Sequence, residues 1–165
     1  MISMDEKRFV QSAYAYIYLG LYDAALEAFA RAILTNPDNP ELYYRGSITA
    51  RRNDRLRLAD HWAKQAALIA PGNRLYAEHW QSVHASRLVA VARRAIVRGR
   101  KALATRLLAQ AAVLDPLNPE ASQLLATVGA DERLVAKSYV LESEESNGDR
   151  TSNTRRHRWC DGTHG

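Results

Sequence analysis

Prolines set the period of this chain. Pro37 and Pro71 lie 34 residues apart, and each closes an alanine-rich run. Laying one run on the other matches Ala25 with Ala59 and Ala32 with Ala66. Phe9 then meets Tyr43, and Ala13 meets Ser47. The same offsets taken back from Pro116 find a third copy in Ala104, Leu108 and Ala111, with Gly99 standing where Gly20 stands. The copies are residues 6–39, 40–73 and 85–118. A unit of this size cannot bury its own apolar face, so a chain repeating at this period folds as a stack of neighbours.

Each copy reads as two helices. In the first, Phe9, Tyr16 and their neighbours recur every three or four residues up to Leu19. Gly20 punctuates, and Tyr22, Ala25, Phe29, Ala32 and Ile33 carry a second stripe. Asn36-Pro37 ends that stripe, because proline cannot continue a helix and its predecessor avoids the α region. Pro40 or Glu41 opens the next helix, with Asn39 as its N-cap. Alanine, the best helix former, supplies 27 of 165 residues, and it lets antiparallel helices approach closely. The expected fold is all-α.

Residues 74–84 separate the second copy from the third and contain neither glycine nor proline. Eleven residues make almost three helical turns, so the insertion lengthens a helix while keeping its buried face in phase. The spacing predicts one helix over 74–98, or a short extra helix with a break near Ser82. Past Pro116, Pro119 opens a capping helix over about 119–128, with Leu124, Leu125 and Val128 on one side, interrupted at Gly129. Residues 131–141 then form one more helix or fray. The repeat domain is thus 1–141, with 119–141 as its capping segment. Residues 142–165 have little to bury and read as a disordered tail.

These residues resemble the tetratricopeptide repeat. That family places an aromatic, a small residue and a second aromatic on the first helix, then A-x-x-x-F-x-x-A-x-x-x-x-P on the second. The first copy follows it through Phe9, Ala13, Tyr16, Gly20, Tyr22, Ala25, Phe29, Ala32 and Pro37. The second copy keeps Tyr43, Ser47, Ala59, Ala66 and Pro71 but has Ala50 and Ala63 at aromatic positions, with Trp62 adjacent. The third keeps Ala92, Gly99, Ala104, Ala111 and Pro116, with Leu88, Ala95 and Leu108 replacing aromatics. The resemblance implies a right-handed superhelical array of three helix pairs with a C-terminal capping helix. It further implies a non-catalytic protein-interaction module whose first helices line a groove for a partner's peptide or helix.

Read by helical phase, that groove holds Tyr14, Tyr18, Tyr44, Ile48, Arg51, Arg52 and Arg93. Tyrosine and arginine are the residue types that anchor interfaces, although the tyrosines equally serve helix packing. Members of the family that clamp a terminal carboxylate use a Lys and Asn set. The matching positions here are Val10, Tyr14, Ser86 and Ala90, so that set is absent.

Net charge is +5, with 19 arginines and four lysines. From Ala85 to Leu114 there are seven basic residues and no acidic one, preceded by Arg45, Arg51, Arg52, Arg55 and Arg57. A basic face suits an acidic peptide, and its alternative ligands are an anionic surface or a nucleic acid. Few aromatics interleave with these arginines, which weakens the case for single-stranded nucleic acid. No nucleophile elbow, phosphate loop or dinucleotide fingerprint occurs, so no enzyme, cofactor or metal is expected. His79 and His84 are five apart, off the spacing of a metal pair, and read as partly exposed helix positions. His157, Cys160 and His164 lack a fourth ligand and a fold to hold them. One cysteine, no signal peptide and no run of about twenty apolar residues make the cytoplasm the expected location. Self-association is compatible with such an array.

Overall fold

Glycine and asparagine mark the ends of the helices. The computed structural model describes residues 4–131 together with Arg133 and Lys137. Its helices are α1 (Met4–Tyr18), α2 (Tyr22–Thr35), α3 (Pro40–Arg52), α4 (Leu56–Ile69), α5 (Arg74–Val97) and α6 (Lys101–Leu114). No strand occurs among the described residues, and none of their helices is long and apolar enough to cross a membrane. The fold is an all-α array of helix pairs, α1/α2, α3/α4 and α5/α6, each helix packing on its chain neighbours.

The turn inside each pair is built three times in the same way. Gly20 has φ +72° and Gly99 has φ +71°. Behind Gly20, the Leu21 N–H donates to the Tyr16 carbonyl at 2.8 Å; behind Gly99, Arg100 donates to Ala95 at 2.8 Å. This closure needs one residue in the left-handed region, where only glycine pays no steric penalty. In the second pair Asp54 takes the position at φ +54°, and Arg55 donates to Ala50 at 2.9 Å. Aspartate is among the few side chains that visit this region. Turns between pairs repeat as well. Asn39 accepts from the Glu41 N–H at 3.1 Å, Asn73 from Leu75 at 3.0 Å and Asn118 from Ala121 at 3.1 Å.

Small residues sit where the helices of a pair meet. Ala13, Ala25, Phe29 and Ala32 are completely buried, as are Ser47, Ala59, Ala63, Ala92, Ala104, Leu108 and Ala111. The missing phenylalanine of the second pair has a structural answer. Trp62 lies against Gly46, where an added Cβ would come within 2.7 Å of Trp62 Cε3. An indole one position early is accommodated by removing a side chain opposite it.

Helix α5 is one unbroken helix of 24 residues, against 13 for α3. At 1.5 Å per residue it outruns α3 by about 16 Å. The stretch that the spacing sets apart as inserted, 74–84, lies in the part bonded to α3 and α4, which runs on through Ser86 and Arg87. Residues 88–97 form the projecting part. Buried carboxylates fix these contacts. Glu6 accepts from Asn36 Nδ2 at 2.9 Å and Asn39 Nδ2 at 2.8 Å, tying α1 to the turn before α3. Asp60, on α4, accepts from Trp80 Nε1 at 3.2 Å, from His84 Nδ1 at 3.0 Å and from Arg87. A buried charge is tolerated only when paired and fully hydrogen-bonded, and Asp60 meets that condition.

The chain divides at Leu125 into two units. Helix resumes at residue 119, where Asn118 caps it. In the second unit residues 126–131 are helical, and Arg133 Nε donates to the Gly129 carbonyl at 3.2 Å. The expected interruption at Gly129 does not occur, since glycine inside a helix costs only about 1 kcal/mol. The expected tail over 142–165, with His157, Cys160 and His164, lies outside the described residues. So does most of 131–141.

Candidate functional site

Helices α1, α3 and α5 share a face, and side chains cross it from helix to helix. Arg45 of α3 donates to Glu41 one turn earlier and to the Tyr14 hydroxyl of α1; its guanidinium lies 5.6 Å from the Tyr14 ring centroid. Tyr14 also meets Phe29 edge-on, with centroids 6.2 Å apart. Glu41 accepts a second bond from the Tyr76 hydroxyl of α5 at 2.9 Å. Partial burial alone would raise the Glu41 carboxyl, but the bonds from Arg45 and Tyr76 outweigh it and hold it below its ordinary value.

Tyr44 packs between Tyr76, 5.2 Å away, and His79, 4.9 Å away and edge-on. The Ser47 hydroxyl donates to the Ala59 carbonyl at 2.7 Å, so its oxygen accepts from His79 Nε2 at 3.0 Å. That bond needs a proton on Nε2. Burial, reinforced by the positive charge of Arg51, lowers the His79 pKa to about 4. His79 and His84 are partly exposed, as their spacing suggests, and each also bonds to a neighbouring helix. Arg51 donates to Ser82 at 3.3 Å and Ser86 at 3.1 Å, and Ser82 in turn donates to Asp115 at 3.0 Å.

The residues picked out by phase thus fall into two groups. Tyr14 and Arg51 are on this face but bonded to neighbouring helices, and Tyr44 is stacked against α5. Tyr18, 92% exposed, and Arg52 carry no such bond among the described residues, and Ile48 is half-buried. Arg93 lies apart from these, paired with Glu120 at 3.2 Å. Helical phase alone does not point to Arg45 and Tyr76 as groove residues. The 34-residue period carried across 74–86 is the signal that finds them, because it sets α5 beside α3.

A second feature comes from the overhang of α5. Its C-terminal half, the α3–α4 turn, the first turn of α4 and Asp23 and Leu26 of α2 enclose an open cleft of about 1020 Å³. Six arginines line it: Arg55, Arg57, Arg87, Arg93, Arg94 and Arg98. Arg55 pairs with Asp23 at 3.1 Å, Arg87 with Asp60, and Arg93 with Glu120. Arg57, Arg94 and Arg98 have no carboxylate partner among the described residues. Leu26, Leu56, Leu58, Ala90, Val91 and Val97 lie between the arginines, and Asp23 and Asp54 also border the cleft. On the other side of α5, Trp80, Leu88, Val113 and Leu114 line a smaller, apolar groove of about 560 Å³. No group of three His, Cys, Asp or Glu side chains able to hold a metal occurs among the described residues.

No protein-family profile matches this chain, and no curated protein does. In structure it is similar to tetratricopeptide repeat domains. The second such domain of human RPAP3, solved with an HSP70 peptide, is 17% identical; the match covers 76% of this chain and 96% of that one, with a TM-score of 0.45. The Yersinia enterocolitica type III secretion chaperone SycD, solved with a peptide of the translocator YopD, is 15% identical over 79% of this chain and 96% of that one, TM-score 0.45. MamA of Desulfovibrio magneticus, residues 41 to the end, is 11% identical over 93% and 100%, TM-score 0.47.

Proposed function

We propose that this tetratricopeptide-like array is a non-catalytic protein-interaction module, which takes an extended or helical segment of a partner protein along the face of α1, α3 and α5. One observation carries the reading. Aromatic and guanidinium groups from successive first helices adjoin on a single face, with Tyr14 and Arg51 held by hydrogen bonds and Tyr44 by ring contacts. Rigid, pre-ordered side chains lose little entropy on binding, and tyrosine gives large contact area with few rotatable bonds. Tyr18 and Arg52 stand beside them with no other engagement. The arginines favour an acidic segment, and their part is to set direction and association rate more than raw affinity.

The test uses positions free of internal bonds, so that folding is not what changes. A photo-crosslinking residue replaces Tyr18, Arg52 or, on α6, Arg106, and the protein is expressed in its native cells. The same adduct is expected from positions 18 and 52 and none from 106. With that partner in hand, Tyr18→Ala should weaken binding by more than about 1 kcal/mol if it is an anchor. An adduct formed only from position 106, or equally from all three, would place binding elsewhere.

A further inference from the structure

The cleft beside the overhang of α5 has no part in the face just described, and its chemistry is its own. Arg57 comes from the first turn of α4, while Arg94 and Arg98 come from the end of α5. Leu56, Val91 and Val97 are among the aliphatic groups between them, and Val97 is 87% exposed. On one side Arg55 and Arg57 stand with Asp23 and Asp54, and across an aliphatic floor Arg94 and Arg98 have no carboxylate partner among the described residues, so the uncompensated positive charge lies mainly on the α5 side. Guanidinium groups match carboxylates with paired, planar hydrogen bonds. The floor offers apolar area to whatever bridges the two walls.

We propose that this cleft is a second binding site, for a short acidic segment of a partner protein in which carboxylates flank an aliphatic side chain. The carboxylates pair with Arg57 on one side and Arg94 and Arg98 on the other, and the aliphatic group covers Leu56 and Val91. A single-stranded nucleic acid fits the lining less well, because no aromatic residue borders the cleft to stack on a base. The volume, about 1020 Å³, lies at the upper end of ordinary ligand pockets. The site exists because α5 is longer than α3. A third pair in strict 34-residue register would have no projecting end to form the second wall.

The test measures fluorescence anisotropy of a labelled octapeptide of alternating glutamate and leucine, added to the full chain. Reversing both projecting charges, Arg94→Glu with Arg98→Glu, should weaken binding about tenfold or more. Arg106→Glu, the same charge change outside the cleft, should change it by less than about twofold. Replacing the glutamates of the probe by glutamine should weaken it like the arginine reversals. Melting curves confirm that the reversed variant is folded; the milder Arg94→Gln with Arg98→Gln serves if it is not. Equal losses from Arg106→Glu and from the double reversal overturn the proposal. So does a double variant that binds as the wild type does. An oligothymidylate of equal charge that binds more tightly than the peptide, and loses affinity in the same variants, makes the cleft a nucleic-acid site instead.

Discussion

The two halves of α5 are held in different ways. Residues 76–87 meet α3 and α4 through buried Val83 and a set of polar bonds that the other half lacks: Tyr76 on Glu41, His79 on Ser47, Trp80, His84 and Arg87 on Asp60. Residues 89–97 meet α6 through Val89, Ala92 and Ala95, buried opposite Ala104, Leu108 and Ala111. Hydrogen bonds need particular partners at particular distances, whereas an alanine seam needs only the absence of bulk. The first half therefore sets the register of the array. The second half repeats the packing of the earlier pairs and leaves its arginines turned outward. Eleven residues, close to a whole number of turns, allow one helix to serve both roles with a single buried face.

The most damaging way to break this arrangement is to put the halves out of phase. One alanine inserted after Ser86 rotates everything beyond it by about 100° and moves the Ala92 and Ala95 seam off α6. The expected cost is about 3 kcal/mol or more, read as a loss of the cooperative urea transition or a large drop in its midpoint. Overpacking the seam is milder. Ala92→Leu should cost about 1–3 kcal/mol, and a neutral result would mean that the α5–α6 contact is loose enough to absorb a branched side chain. The gentlest probe addresses the polar half. His79 titrates well below its ordinary value in the folded chain, so the unfolded chain takes up its proton first. Its contribution is complete above about pH 6.5 and is lost as pH falls towards 4. His79→Gln cannot titrate, so its stability should fall less steeply across that window. Parallel curves for the two proteins would show that His79 is solvated and not held by Ser47.

Much of the fold is legible in the sequence because it depends on residues with special backbone demands. Gly20 and Gly99 mark turns that need a left-handed residue, Asn39 caps a helix, and the alanines mark crossings. These signals act along the chain and need no knowledge of neighbours. The length of α5 is legible for the same reason, through the lack of glycine or proline from 74 to 97. The phase of Tyr14, Tyr44 and Arg51 can also be read, but their engagement cannot. Whether a tyrosine on a helix face is open or covered depends on where the next helix lies, and Tyr76 and His79 settle that for Tyr44. Asp60 is hidden more deeply, since its three donors lie 20 to 27 residues ahead on another helix. The arginine cleft is a difference in length between two helices, a property that belongs to no single residue.

Contacts in this array run almost wholly between helices adjacent in the chain, and that sets how it comes apart. With no long loop to close, folding should be rapid for a chain of this size. Stability then resembles a row of links more than one block. Helix α5 locks the second and third pairs together, while α2 on α3 is the slighter of the two joints between pairs. Unzipping accordingly starts from α1 and α2, whose amides exchange with solvent while α3 to α6 are still protected.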